Sequence, residues 1–95
     1  MLSFTTVRVV GLSMEPAVRN GQWWVVRRGV KLRQGDVVLL QHPTRSDLSV
    51  VKRLSHREGI GWWVLGDNPR ESEDSRHFGV VPDNLIIGRL IFRYR

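Results

Sequence analysis

Asp36-Val37-Val38-Leu39-Leu40-Gln41-His42-Pro43-Thr44-Arg45-Ser46-Asp47-Leu48-Ser49-Val50-Val51-Lys52-Arg53-Leu54-Ser55 sets two apolar runs on either side of a polar, Pro-containing loop. Val37–Gln41 and Leu48–Ser55 are short, rich in β-branched residues and bounded by turn formers, so both read as strands. Alternation along the second places Val50, Lys52 and Leu54 on one face and Val51, Arg53 and Ser55 on the other. An ammonium group therefore shares a face with apolar side chains, an odd place for a surface lysine.

The pattern continues outward in both directions. Phe4–Val10 is a β-branched run that ends at Gly11, and Trp23–Arg28 follows as another strand. Pro16 suits the first position of a short helical turn running toward Asn20-Gly21, which is a stop signal. Beyond the opening stretch, Ile60–Leu65 carries Trp62 and Trp63, and Val80-Val81-Pro82 leads through an Asp83-Asn84 turn to a closing strand over Leu85–Tyr94. Between them Gly66–Arg76 is polar throughout and reads as a long loop, the kind of segment that often carries function. Strands with turn signals at roughly eight- to twelve-residue spacing, and almost no helical period, predict an all-β chain. The expected architecture is a small, partly open antiparallel β-barrel or sandwich, with one short helical turn after Ser13 and a single domain over residues 1–95.

With 41% hydrophobic and 25% charged residues among 95, the composition is that of an ordinary globular domain. Fifteen Lys and Arg against nine Asp and Glu leave a net charge of +6. Such a surplus favours anionic partners but does not choose among nucleic acid, anionic lipid and acidic polypeptide. The absence of cysteine excludes a disulfide framework, a thiolate nucleophile and a Cys-based zinc site. Apolar runs such as Val37–Leu40 fall far short of the roughly 20 residues that span a bilayer. The Met1 end lacks the basic-then-apolar pattern of a signal peptide.

Ser13 lies in Gly11-Leu12-Ser13-Met14-Glu15-Pro16, between an extended run and a proline turn, and is the candidate nucleophile. A serine hydroxyl needs a base within hydrogen-bonding reach. His42, His56 and His77 show neither metal-ligand spacing nor a local triad signature. A lysine serves instead if burial lowers its pKa enough to leave a free amine. Lys52, flanked by Val50, Val51 and Leu54, is so placed, whereas Lys31 lies in a basic turn. By pattern alone the stronger reading is that Lys52 lies on a solvated face or pairs with an acid.

Four segments in order resemble the boxes of the type I signal peptidase family of Ser-Lys proteases. Ser13-Met14-Glu15-Pro16 is similar to its Ser-Met-x-Pro nucleophile box, Gln34-Gly35-Asp36-Val37-Val38 to its Gly-Asp-apolar strand, and Val51-Lys52-Arg53-Leu54 to its general-base strand. Gly66-Asp67-Asn68, with Ser72, Asp74-Ser75-Arg76 and Phe78-Gly79-Val80-Val81-Pro82, resembles its last box. The set covers nearly the whole chain. The resemblance implies that Ser13 attacks the scissile carbonyl and that Lys52 acts as base and then as acid. It also implies that Ser72 orients the lysine amine and that the Ser13 N–H stabilises the oxyanion. Asp67, Asn68, Asp74, Arg76, Met14 and Pro16 are implied as structural residues near the site, Asp74 and Arg76 as an ion pair. No cofactor or metal is implied.

Several positions depart from that pattern. Gly11 stands where some members place a serine that supplies a second oxyanion donor. Ala17 replaces a common threonine, Pro69-Arg70 replace an Arg-Asp pair, and the large β insertion that follows the lysine in full signal peptidases is missing. In size and in lacking an anchor the chain most resembles the soluble proteases that mature nickel-type superoxide dismutase. The expected partner is then a polypeptide with an N-terminal propeptide, a nickel superoxide dismutase precursor, in the cytoplasm. The alternative is the catalytic domain of a membrane-bound signal peptidase, acting on secretory signal peptides at the outer face of a membrane. Contact of Trp23, Trp24, Arg27 and Arg28 with a membrane surface bears on that choice. Self-cleavage of the repressor type is disfavoured, since only twelve residues precede Ser13 and they form a strand. A non-catalytic reading, a basic β-barrel binding single-stranded nucleic acid, needs neither Ser13 nor Lys52; under the protease reading no nucleic-acid partner is expected.

Overall fold

A computed structural model describes residues 3–95. Seven strands form one antiparallel sheet: β1 Ser3–Arg8, β2 Trp23–Arg28, β3 Val37–Gln41, β4 Ser49–Glu58, β5 Gly61–Leu65, β6 Val81–Pro82 and β7 Ile86–Arg93. Their order across the sheet is β1-β2-β7-β3-β4-β5-β6, so the last long strand inserts between β2 and β3. The all-β class expected from the sequence is the one observed.

β3 explains why the sheet has a core on each face. Val38 and Leu40 belong to one buried cluster with Leu54, Trp62, Val64 and Val81. Leu39, pointing the other way, belongs to a second with Val9, Met14, Val18, Val26, Val51 and Leu90. A strand apolar on both sides is an interior strand, which is how its unbroken Val-Val-Leu-Leu run is satisfied. The sheet curls at register shifts between Val25 and Val26, Leu39 and Leu40, and Leu54 and His56. Irregularities of this kind bend strands and sharpen their twist. β1 and β6 each pair on one side only, which leaves the curled sheet partly open.

β2 and β3 have the bounds expected of them, and β4 runs on to Glu58 before turning at Gly59. β1 ends at Arg8, although Val9 still exchanges hydrogen bonds with the chain returning through Gly21 and Gln22. The helical turn after Ser13 is present as one i→i+4 hydrogen bond, from Val18 N to Met14 O at 3.0 Å. It goes no further because the next two amides are taken by side chains. Arg19 N donates to Gln22 Oε1 at 2.9 Å and Asn20 N to Glu15 Oε2 at 3.3 Å.

The segment expected as a plain loop contains a 3-10 turn at Pro69–Glu71 and a short helix, α1, at Ser75–Phe78. Asp74 caps α1, accepting from Arg76 N, while His77 Nδ1 accepts from Asp74 N. Among the described residues no helix is long and apolar enough to cross a membrane.

Candidate active site

Gly11 turns the chain out of β1 with a φ of 103°, a backbone conformation that suits glycine, and donates its N–H to Asn20 Oδ1 at 2.8 Å. The next residues are fastened from both sides. Met14 is buried in the core with Val18, and its Sδ accepts from Asp67 N at 3.4 Å. Asn68 N donates to Ser13 O at 2.8 Å, and Asn68 Nδ2 to Leu12 O at 3.2 Å. The Gly66–Asn68 stretch therefore grips the backbone on both sides of Ser13. Pro16 lies exposed on the outside of the turn. Among the described residues the Ser13 N–H makes no hydrogen bond.

Gly66 makes this grip possible. A Cβ there would run into Ser72 Oγ and stand 2.9 Å from Ser13 O. Only a residue without a side chain lets the Ser13 backbone and the Ser72 hydroxyl pack against the same point.

Lys52 reaches the site from β4. Its Cα partner across the sheet is Val38, so its side chain leaves on the face that holds Val38, Leu40 and Leu54, as alternation predicts. Only 4% of Lys52 is exposed. Burial pushes its pKa below the ordinary lysine value, opposed by the Asp74 and Glu73 carboxylates and assisted by the Arg76 guanidinium. Among the described residues it has no ion-pair partner within 4.0 Å.

Asp74 is fully buried, and its position next to α1 is paid for by five donors. Gly66 N and Ser72 Oγ donate to Oδ2 at 2.9 Å each, Arg76 N and Nε to Oδ1 at 3.2 and 2.9 Å, and an Arg76 Nη to Oδ2 at 2.9 Å. Burial alone would raise its pKa; the hydrogen bonds from Arg76, Gly66 and Ser72 outweigh that and hold it far below the ordinary carboxylate range. Asp67 has a separate partner. Arg53 grips it with Nε at 2.9 Å and Nη2 at 2.8 Å and also donates to Gly35 O at 2.8 Å. Arg53 thus ties the strand bearing Lys52 to the loop bearing Asn68, a function that the Lys-Arg pair in the sequence signals only by adjacency.

Ser13 and Lys52 line one cleft of about 500 Å3, walled by Val7–Met14 on one side and Leu48–Lys52 on the other. Arg8, His42, Arg45, Glu71 and Glu73 also line it and have no counterpart among the boxes read from the sequence. None of the three histidines bonds to Ser13 among the described residues: His42 meets Glu73, His56 meets Glu58 and His77 caps α1. The arrangement offers a half-buried serine and a buried lysine of lowered pKa on one cleft, with a carboxylate-centred network behind them.

A family model described as Peptidase S24-like matches residues 3–91. The chain belongs to this family. Within the matched stretch lie Ser13, Lys52 and the whole Gly66–Arg76 segment. The chain is similar to the mitochondrial ATP-independent inner membrane protease subunit 1a of Arabidopsis thaliana, at 35% identity over 85 residues, covering 66% of this chain and 51% of that protein. It is 29% identical over 82 residues to the mitochondrial inner membrane protease subunit 1 of Mus musculus, covering 65% and 49%. A shorter stretch of 32 residues is 59% identical to signal peptidase I of Bacillus caldolyticus, covering 34% and 18%. This Peptidase S24-like chain therefore spans about half the length of the mitochondrial relatives it matches. Serine-peptidase ancestry is shown by the family.

Proposed function

We propose that the protein is a Ser-Lys endopeptidase that removes an N-terminal leader or propeptide from an extended polypeptide. The observation that carries this is the buried Lys52, its pKa lowered by desolvation, on the same cleft as Ser13. The neutral Lys52 amine takes the Ser13 Oγ proton as Oγ attacks the scissile carbonyl. The Ser13 N–H, free of other acceptors among the described residues, donates to the developing oxyanion. Collapse of the tetrahedral intermediate breaks the C–N bond, and the Lys52 ammonium returns the proton to the departing amine. Water, deprotonated by Lys52, then cleaves the acyl-enzyme ester and regenerates Ser13. Ser72 serves this cycle by orienting the amine, and Asp74 with Arg76 by fixing Ser72. Gly11 supplies no side chain toward the oxyanion and its N–H is committed to Asn20, so a second donor is not assigned.

Two substrate classes fit that chemistry. The named relatives include a signal peptidase I, which supports a membrane-targeting leader presented at a membrane face. A nickel superoxide dismutase precursor, cut in the cytoplasm, is the narrower expectation from chain size; no named relative speaks for it in particular. Incubating the protein with an Ala-x-Ala signal-peptide substrate and, separately, with a nickel superoxide dismutase precursor decides between them. Cleavage lost in Ser13→Ala and in Lys52→Met is the expected result. Cleavage that survives both substitutions sinks the dyad, and salt-sensitive binding to single-stranded DNA without any cleavage favours the nucleic-acid reading.

A further inference from the structure

His42 is 3% exposed, its ring set edge-on to Phe78 of α1 at 4.9 Å between centroids. Thr44 N donates to His42 Nδ1 at 3.2 Å, and a backbone N–H is a donor only. Nδ1 therefore carries the lone pair and Nε2 the proton, so Nε2 donates to Glu73 Oε1 at 2.7 Å. Glu73 stands between Ser72 and Asp74 in the chain, but those two bond to each other while Glu73 turns to the β3–β4 connection.

We infer that His42 and Glu73 form a clasp that holds the Glu73 carboxylate on the cleft it shares with Lys52 and so sets the pH at which Lys52 gives up its proton. The inference rests on the Ser-Lys reading above and makes both of them positioning residues. Glu73 stands in the segment leading into α1 with 58% of its side chain exposed, so without His42 the carboxylate would be free to swing into solvent. The hydrogen bond from His42 is also the main influence holding its carboxyl below the usual value, against a smaller effect of burial. It stays ionised through the range in which a lysine base would titrate.

The charged groups that act on Lys52 all come from the stretch at the start of α1. Asp74 and Glu73 favour its ammonium form and Arg76 disfavours it. Arg8 of β1, Arg45 of the β3–β4 connection, Glu71 and His42 itself line the same cleft. Asp74 has its charge spread over Arg76, Ser72 and Gly66, whereas Glu73 takes one side-chain hydrogen bond, from His42, with Arg45 and His77 acting on it at longer range. Removing the Glu73 charge therefore lowers the Lys52 pKa further.

The chain contains two lysines, Lys31 and Lys52, so labelling lysine Cε with carbon-13 gives two signals to follow by NMR titration. Titrations of the full chain and pH profiles of kcat/KM are compared for wild type, Glu73→Gln, His42→Phe and His42→Gln. The Lys52 midpoint and the acid limb of kcat/KM both move to lower pH in Glu73→Gln and in His42→Phe. At the acid end kcat/KM rises roughly twofold to fivefold, the size expected of one screened charge. His42→Gln, which keeps an N–H donor, stays nearer wild type. A low Lys52 midpoint that Glu73→Gln leaves in place overturns the clasp alone. An ordinary lysine midpoint in the wild type overturns the dyad reading together with it. Glu73 is exposed, so its variant carries the test even where substitution of buried His42 unfolds the chain.

Discussion

Ser72 Oγ donates its proton to Asp74 Oδ2 at 2.9 Å, which turns the lone pairs of the hydroxyl away from that carboxylate. A serine so held is an acceptor for an ammonium or amine and cannot at the same time be a donor to it. Ser72→Ala removes this acceptor and one donor to buried Asp74. We expect a stability loss of about 1 kcal/mol in urea unfolding and, if Ser72 orients the amine as proposed, a fall in kcat/KM of roughly tenfold or more through its misplacement. Wild-type kcat/KM in the Ala variant would reduce Ser72 to a structural role.

Asp74 gives the protein an acid limit. Its folded pKa is depressed, so its contribution is fully present above the unfolded value near 3.8 and is lost as pH falls from there toward the folded value. Asp74→Asn keeps the shape but not the charge that gathers Arg76, Ser72 and Gly66. The expected cost at neutral pH is about 2 to 3 kcal/mol, reduced from that of a sealed ion pair because Arg76 is partly exposed. Chemical unfolding at pH 7 and pH 3 checks this: the difference between variant and wild type should shrink at the lower pH. A gap as wide at pH 3 as at pH 7 would remove the charge from the explanation.

Much of this framework is legible in the chain because it is written at short range. Val37–Gln41 and Trp23–Arg28 are bracketed by turn residues, and Lys52 falls on the apolar face by alternation alone. α1 is not legible, since four residues are too few to show a period and its cap, Asp74 with His77, sits inside an otherwise polar run. Val9 and Val10 continue the β-branched pattern of β1, yet Gly11 has begun to reverse the chain and the strand ends earlier. At the site, Ser13 and Lys52 stand in recognisable boxes. The His42–Glu73 bond joins residues 31 apart through the fold, and neither residue carries a local signal for the other.

Gly66→Ala tests the grip on Ser13. The new methyl meets Ser72 Oγ and Ser13 O, of which the second is backbone already held by Asn68 N. Relief requires Ser72 to leave Asp74 or the loop to lift from the Ser13 turn. A destabilisation of about 1 to 3 kcal/mol follows from such overpacking, with kcat/KM falling more than in Ser72→Ala because both sides of the site shift. Thermal melts and kinetics on the two variants settle the order; a Gly66→Ala variant as active as wild type would mean that the serine is positioned by Met14 and Gly11 alone.

Lys52 makes the opposite contribution to stability from Asp74. Its folded pKa lies below its unfolded value of 10.5, so between the two the unfolded chain binds more protons and stability rises with pH. Holding Lys52 in the fold is therefore a cost at neutral pH, relieved as pH climbs toward the unfolded value. Lys52→Met fills the same space without the ammonium and should stabilise the protein by about 1 kcal/mol or more at pH 7 while abolishing peptidase activity. The gain should narrow on the alkaline side, which unfolding at pH 7 and pH 10 measures. A Lys52→Met protein less stable than wild type at pH 7 would show that the ammonium is bound by Asp74 and Glu73 more strongly than burial opposes it, and a lysine so held is no base.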